Sequence, residues 1–202
     1  MELGSHNSFS YLPSKKWWMK PFGWMARCQE VDIWDQWYWG SHLFDLRIRF
    51  TKTGIPTICH GLMEFEHADD FVISIIEHIN VVSQGNIYMR VVLETNKHDE
   101  LQESYFKQFC ANLESSFPKI HFFGGNNRQD WGCKNPVYKF KNPLEDLDDK
   151  YSSVTTLFPD GPKWLRWIDD LYPKFYAKRH NHENIQAGTT HKWLFIDFVN
   201  IQ

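Results

Sequence analysis

The chain has 202 residues, enough for one domain with a sizeable core and too few for two. With 42% hydrophobic and 23% charged residues it reads as an ordinary folded soluble protein, and a net charge of −3 excludes broad electrostatic binding to long nucleic acid. No apolar run approaches the ~20 residues of a membrane span, no basic-then-apolar secretory leader opens the chain, and Cys28, Cys59, Cys110 and Cys133 form neither a zinc pattern nor a disulfide framework.

The default compartment is therefore the cytoplasm or a membrane periphery. In chain order, Met1–Tyr11 predicts a very short strand running into a turn rich in turn formers, Gly4, Ser5, Asn7 and Ser8, with His6 where the strand ends. A lone histidine there is ordinarily a capping or surface residue. The next stretch carries Lys15, Lys16 and Lys20 among Trp17, Trp18, Phe22 and Trp24. That mixture suits a membrane interface or a stacking surface, and equally a set of rings closing a core. Gln29–Trp39 reads as a helix with Val31, Trp34, Trp37 and Tyr38 inward, ended by Gly40.

Leu43–Gly61 is the stretch around which the rest is organised. It predicts a strand, a short turn and a second extended piece ending in His60-Gly61. Alternation puts Phe44, Leu46, Ile48 and Phe50 on one face and Asp45, Arg47 and Arg49 on the other. A wet antiparallel edge explains this pattern, and so does a barrel strand whose charged face lines the mouth.

Further on, Leu62–Glu66 reads as a loop. A helix follows from about Ala68 to Val82, with Phe71, Ile75, Ile76, Ile79 and Val82 inward and Asp69 and Asp70 in its first turn. Ile87–Glu94 repeats the strand pattern: Met89, Val91 and Leu93 on one face, Tyr88, Arg90, Val92 and Glu94 on the other. Glu100–Phe117 is a helix with Leu101, Tyr105, Phe109 and Leu113 in register, and Lys119–Phe123 a short strand. The signal weakens from Asn126 to Thr156, where Val137–Phe140 and Ser153–Thr156 are candidate strands and Leu144–Lys150 is acidic. Pro162–Lys178 reads as a helix with Trp164, Leu165, Ile168, Leu171 and Phe175 inward. Arg179–Thr190 reads as a polar loop with His180 and His182 at the surface, and Lys192–Val199 as an apolar last strand broken by Asp197.

Two strands joined by a helix favour parallel pairing, and parallel sheets are covered on both faces. Charges along one face then need the inside of a barrel at its C-terminal mouth. The expected fold is an α/β, TIM-type (β/α) barrel of one domain over residues 1–202. With only six or seven strands, and fewer than the ~250 residues typical of such barrels, it is expected to be shortened or incomplete in its second half.

Three pieces converge on one chemistry: Gly4–Ser8, Asp45-Leu46-Arg47 with His60-Gly61, and Asp197. Two histidines and one arginine are the minimum for cleaving a phosphodiester with an adjacent hydroxyl. One imidazole takes the hydroxyl proton, the other protonates the leaving oxygen, and the guanidinium holds the phosphate. A carboxylate beside the base fixes its tautomer.

The motifs GSHNS (Gly4–Ser8), FDLR (Phe44–Arg47), CHG (Cys59–Gly61), the strand ending at Glu94 and DFV (Asp197–Val199) resemble the phosphatidylinositol-specific phospholipase C superfamily. The resemblance covers the first half of the chain and the last strand; Asn126–Lys178 is unmatched. It implies His6 as general base, His60 as general acid and Asp197 as the carboxylate supporting His6. Asp45 and Asn7 complete the catalytic group, and Arg49, Arg90 and Glu94 bind substrate. Arg47 matches the arginine of the metal-independent bacterial branch. Asn7, Asp45 and Glu94 match three oxygen ligands of the calcium-dependent branch, but Arg47 puts a positive charge at the fourth place. The expectation is no metal, with calcium on Asn7, Asp45 and Glu94 as the alternative.

The leading function is a phosphodiester lyase or phosphodiesterase acting on an inositol phospholipid or related glycolipid anchor through a cyclic phosphate, with membrane contact through Lys15–Trp24. Two others stand beside it: the same chemistry on RNA or a small nucleotide, and a non-catalytic phospholipid-binding barrel. Coincidental motifs on a small structural domain require His6, Arg47, His60 and Asp197 all to be bystanders. The geometric test is whether the two imidazoles face one cleft with the Arg47 head between them.

Overall fold

The computed structural model describes residues 2–83, 86–128, 136–141, 172–187 and 193–201. Strand β1 (Glu2–Ser5) leads through a tight turn to a 3-10 helix over Trp17–Phe22, then to helices α1 (Gly23–Ala26) and α2 (Ile33–Tyr38). Strands β2 (Ser41–Phe50), β3 (Pro56–His60) and β4 (Met63–Glu64) follow, then α3 (Phe71–Val82), β5 (Ile87–Leu93), α4 (Glu100–Ser116) and β6 (Ile120–Asn127). Helix α5 (Pro173–Ala187) and strand β7 (Trp193–Ile196) complete the described elements.

Five strands, β7, β1, β2, β5 and β6, pair in parallel in that order. The β3–β4 hairpin lies antiparallel against the end of β2, on the side β1 has already left. The sheet is thus mixed, and among the described residues β6 and β7 do not meet to close it. This is the α/β barrel architecture expected from the strand patterns, left open.

Alternation gives the sheet two unlike faces. Phe44, Leu46, Ile48 and Phe50 of β2 pack with Met89, Val91 and Leu93 of β5 under Val72, Ile76 and Ile79 of α3 and Phe106, Phe109, Cys110 and Leu113 of α4. Each fully buried aliphatic or aromatic side chain there contributes about 1.5–3 kcal/mol against exposure. On the opposite face Leu43, Phe123, Trp193 and Phe195 form a separate apolar floor. One step along the strands, the register sets Asp45 beside Arg90 and Arg90 beside Phe123. Charged side chains therefore stand directly above the apolar floor, where the parallel strands point.

Several elements differ from the sequence reading. Helix α2 is shorter than Gln29–Trp39 and buries Ile33 and Gln36, while Tyr38 points to solvent. Its start is fixed by Asp32, whose carboxylate accepts from the Trp34 and Asp35 amides. Helix α3 begins at Phe71, so Asp69 and Asp70 precede it. Val82 is exposed, as is Leu101 of α4. Within Leu62–Glu66, Met63–Glu64 pairs as β4. Strand β6 continues through Gly124-Gly125 to Asn127.

Arg179–Ala187 is helical rather than a loop, and Phe175 is exposed; polar composition there marks a solvated helix face, not a break. The remainder of the predicted 162–178 helix, and 153–156, lie outside the described residues. Val137–Phe140 forms no strand, but it crosses β6 closely, and the Tyr138 amide donates to the Gly125 carbonyl at 3.0 Å.

That crossing requires a glycine. Gly125 has φ +79°, and a Cβ there would lie 1.9 Å from the Tyr138 carbonyl oxygen. Gly125→Ala is expected to destabilise the chain by about 2–4 kcal/mol, from left-handed backbone strain plus overpacking. Gly40→Ala shares the positive φ but meets nothing within 4 Å, and is expected to cost about 1–2 kcal/mol. Urea denaturation midpoints of the two variants check the difference.

Candidate active site

The turn after β1 is latched onto β2. The Ser8 amide donates to the Asp45 carbonyl at 3.1 Å, the Asp45 amide donates to Ser8 Oγ at 2.7 Å, and Ser8 Oγ donates to the Ser5 carbonyl. Asn7 takes a left-handed conformation, φ 46°, which asparagine tolerates better than most residues, and its amide donates to Asp45 Oδ2 at 3.1 Å. The small polar residues of Gly4–Ser8 thus hold His6 above the charged rung.

The His6 imidazole is gripped at both nitrogens. Nδ1 lies 2.8 Å from Asp197 Oδ1, just past the end of β7, and Nε2 lies 2.7 Å from an Arg47 guanidinium nitrogen. Arginine can only donate, so Nε2 is the accepting nitrogen and Nδ1–H donates to Asp197. This is the neutral tautomer that a general base needs.

Arg47 is almost fully buried and braced by two carboxylates with no exposed surface. Its Nε donates to Asp45 Oδ2 at 2.9 Å, and another guanidinium nitrogen lies 3.7 Å from Glu94 Oε2. Burial alone would lower the guanidinium's affinity for its proton; Asp45 and Glu94 outweigh it and raise it above the ordinary arginine value. Burial alone would likewise raise the Asp45 carboxyl, but the Arg47 and Arg90 guanidiniums hold it well below the usual carboxylate range. Arg90 Nε stands 3.6 Å from Asp45 Oδ1, and an Arg128 nitrogen 2.9 Å from Glu94 Oε1.

His60 arrives by the hairpin. The register that pairs Ile48 with Ile58 brings His60 back to the level of Leu46, next to Arg47. Its ring meets that of His6 edge-on with centroids 6.2 Å apart. Two hydrogen bonds of ~2.8 Å to different oxygens of one phosphate span such a gap. Nδ1–H of His60 donates to the Ala26 carbonyl at 3.0 Å, leaving Nε2 as the other nitrogen for proton exchange. Burial and the nearby Arg47 charge lower the His60 pKa to about 4.

The structure therefore brings together His6, Asn7, Asp45, Arg47, His60, Arg90, Glu94 and Asp197. Arg49 is turned elsewhere. It donates to the Gly61 carbonyl and lies 3.7 Å from Glu64, so it braces the β3–β4 hairpin.

Residues the sequence reading passed over also support the site. Gln29, fully buried, donates from Nε2 to the His6 and Ile196 carbonyls at 3.1 and 3.0 Å, and its Oε1 accepts from the Val199 amide at 3.1 Å. Asn181 of α5 donates to the Asp197, Phe198 and Ile201 carbonyls and fixes the turn that carries Asp197. Cys28 Sγ lies 3.9 Å from His60 Nδ1 and groups with His6 and Asp197. A buried glutamine or asparagine bonded to distant backbone leaves no local pattern in a sequence.

No family model matches the chain, and no curated protein sequence does. Solved structures do. The phosphatidylinositol-specific phospholipase C from Listeria monocytogenes superposes with a TM-score of 0.63 at 18% identity, over 98% of this chain and 87% of that one. The F249X mutant of the Staphylococcus aureus enzyme gives 0.57 at 16% identity, and a structure of the S. aureus enzyme concerned with modulation of its membrane binding gives 0.52 at 17%. Each of these covers 98% of this chain and 85% of the other. The chain has the fold of these bacterial phospholipases. The likeness spans nearly its whole length, well beyond the first half and last strand that the motifs cover.

Proposed function

We propose that the chain is a phosphodiesterase that cleaves an inositol phospholipid or a related glycolipid anchor, using a hydroxyl next to the phosphate as nucleophile and releasing a cyclic phosphate. The observation that carries this reading is the pair of imidazoles facing each other with the Arg47 guanidinium against one of them.

An arriving phosphate draws the Arg47 N–H from His6 Nε2 to a phosphate oxygen. The freed lone pair takes the proton of the attacking hydroxyl, and Asp197 stabilises the imidazolium that results. A bond forms between that oxygen and phosphorus. The bond to the lipid oxygen breaks, and His60 Nε2 delivers its proton to the departing oxygen. Arg47, held by Asp45 and Glu94, faces the charge that builds on the phosphoryl oxygens.

A calcium ion fits this set poorly. Asn7, Asp45 and Glu94 each keep a buried oxygen without a hydrogen bond, as ligands would. Two of those oxygens already face guanidiniums at 3.6 and 3.7 Å, and like charges a few Å apart in a buried site repel strongly. Arg47 supplies the positive charge that calcium brings elsewhere. Cleavage of phosphatidylinositol in vesicles by the purified chain is therefore expected to survive EDTA; activity lost to EDTA and restored by calcium would make Asn7, Asp45 and Glu94 ligands instead.

The aromatic segment fits a lipid-borne substrate. The 3-10 helix and α1 bury no side chain; Trp17 is 80% and Trp18 54% exposed, with Lys16 over the Trp18 ring. Such rings beside lysines sit well at a headgroup layer.

Gln29 ties the base to its carboxylate. Gln29→Leu is expected to lower kcat for phosphatidylinositol cleavage about 10- to 100-fold with little change in KM, because small displacements of positioned groups cost about that much. Steady-state kinetics check the split.

A further inference from the structure

Cys28 has no task in the cleavage scheme, yet it is wrapped by the groups that perform it. We propose that His6 Nδ1, Cys28 Sγ and Asp197 Oδ1, with His60 Nδ1 as fourth donor, form an inhibitory site for a zinc ion beside the two imidazoles.

One donor atom each of His6, Cys28 and Asp197 lies within 4.8 Å of the other two, and Cys28 Sγ is 3.9 Å from His60 Nδ1. His6 Nδ1 and Asp197 are 2.8 Å apart. Donors of one tetrahedral zinc, with bonds of ~2.0–2.3 Å, stand ~3.5 Å from one another. Side-chain rotations of about an ångström close the set. One thiolate, one carboxylate and two imidazoles are the donors zinc prefers, while calcium and magnesium take oxygen. Thiolate and carboxylate together cancel the ion's charge. Arg47 therefore meets a neutral cluster at the far nitrogen of His6, unlike a calcium ion placed between Asp45 and Glu94.

The proton balance explains why the ion would inhibit. The Cys28 thiol, kept protonated by burial, releases its proton to solvent when the metal binds. Each imidazole moves its proton from Nδ1 to Nε2 as Nδ1 takes the metal. His6 Nε2 then carries a hydrogen, so it parts from the Arg47 N–H it had accepted and can no longer take a proton from a hydroxyl. Asp197 leaves the base, and His60 gives up its bond to Ala26.

The test is zinc titration of the chelator-stripped chain against a chromophoric zinc indicator. One zinc per chain is expected, with about one proton released, and binding roughly 100-fold weaker in Cys28→Ser. Cobalt in place of zinc is expected to give a thiolate-to-metal charge-transfer band that Cys28→Ser removes. Cys28→Ala serves if the serine variant does not keep the wild-type near-ultraviolet circular dichroism. No stoichiometric binding, binding unchanged by loss of Cys28, or a cobalt spectrum without the thiolate band overturns the site. Loss of phosphatidylinositol cleavage on adding zinc, reversed by EDTA, is the second arm and rests on the proposed function. If no cleavage occurs at all, the binding arm still decides the site. If zinc does not bind, the cleavage reading is untouched.

Discussion

His6→Ala and His60→Ala are each expected to lower kcat for phosphatidylinositol cleavage by roughly 10²- to 10⁴-fold, the usual contribution of one positioned acid or base. The double variant is expected to lose far less than the product of the two, because the residues act as a unit on one proton path.

The pH dependence separates them. The free chain holds His60 largely neutral at pH 7, since burial and Arg47 lower its pKa to about 4. A bound phosphate brings negative charge beside it and opposes both effects, which favours the imidazolium that must donate. The limb belonging to His60 is therefore expected at higher pH in kcat, which reports the bound state, than in kcat/KM, which reports the free chain. In folding, the native state resists a protonation of His60 that the unfolded chain accepts near 6.5. His60 therefore costs stability as the pH falls from about 6.5 towards about 4, and nothing above that window. Coincident limbs in kcat and kcat/KM would falsify the assignment of His60 as the acid.

Arg47→Met is expected to remove activity and stability together. It strips the guanidinium from Asp45 and Glu94, both fully buried, and leaves carboxylates without their main partner. Breaking a buried ion pair from one side costs about 3–5 kcal/mol. Arg90 beside Asp45 and Arg128 beside Glu94 place this case at the lower end. Losing the group that faces the phosphoryl charge is expected to lower kcat by about 10²- to 10³-fold.

Arg47→Lys divides the two effects. The ammonium keeps the charge between the carboxylates, so most of the stability returns. It lacks the planar fork that reaches His6, Asp45 and Glu94 at once, so activity stays low. Calorimetric melting and vesicle cleavage on the two variants measure both. Full activity in Arg47→Lys would show that a point charge suffices and that the fork does not set the tautomer of His6.

Much of this was legible in the chain. The alternation of Phe44, Leu46, Ile48 and Phe50 with Asp45, Arg47 and Arg49 marked a strand between two unlike environments. Its repetition in Ile87–Glu94 marked parallel pairing. Period-two patterns survive folding because a one-residue slip would carry every apolar side chain to the wrong face. His6, Arg47, His60 and Asp197 could be assembled because the roles proposed for them need those residue types near strand ends. The polar composition after Arg179 misled, since a solvated helix and a loop look alike when tertiary contacts are unseen. Arg49, on the same strand face as Arg47, also looked like part of the site.

What the sequence alone determined is the kind of strands, the identity of the charged face and the small set of groups proposed to move protons around a phosphate. These are local properties, fixed by side-chain periodicity and chemistry. The tertiary structure alone decided which groups meet. It sends Arg47 to His6, Asp45 and Glu94 but Arg49 to Glu64 and Gly61, and folds His60 back by a hairpin. It also brings Gln29, Asn181 and Cys28 to the backbone and side chains around His6 and Asp197. Hydrogen bonds between residues 16 to 191 apart in the chain carry no periodicity, and their partners are chosen only when the strands assemble around the cleft.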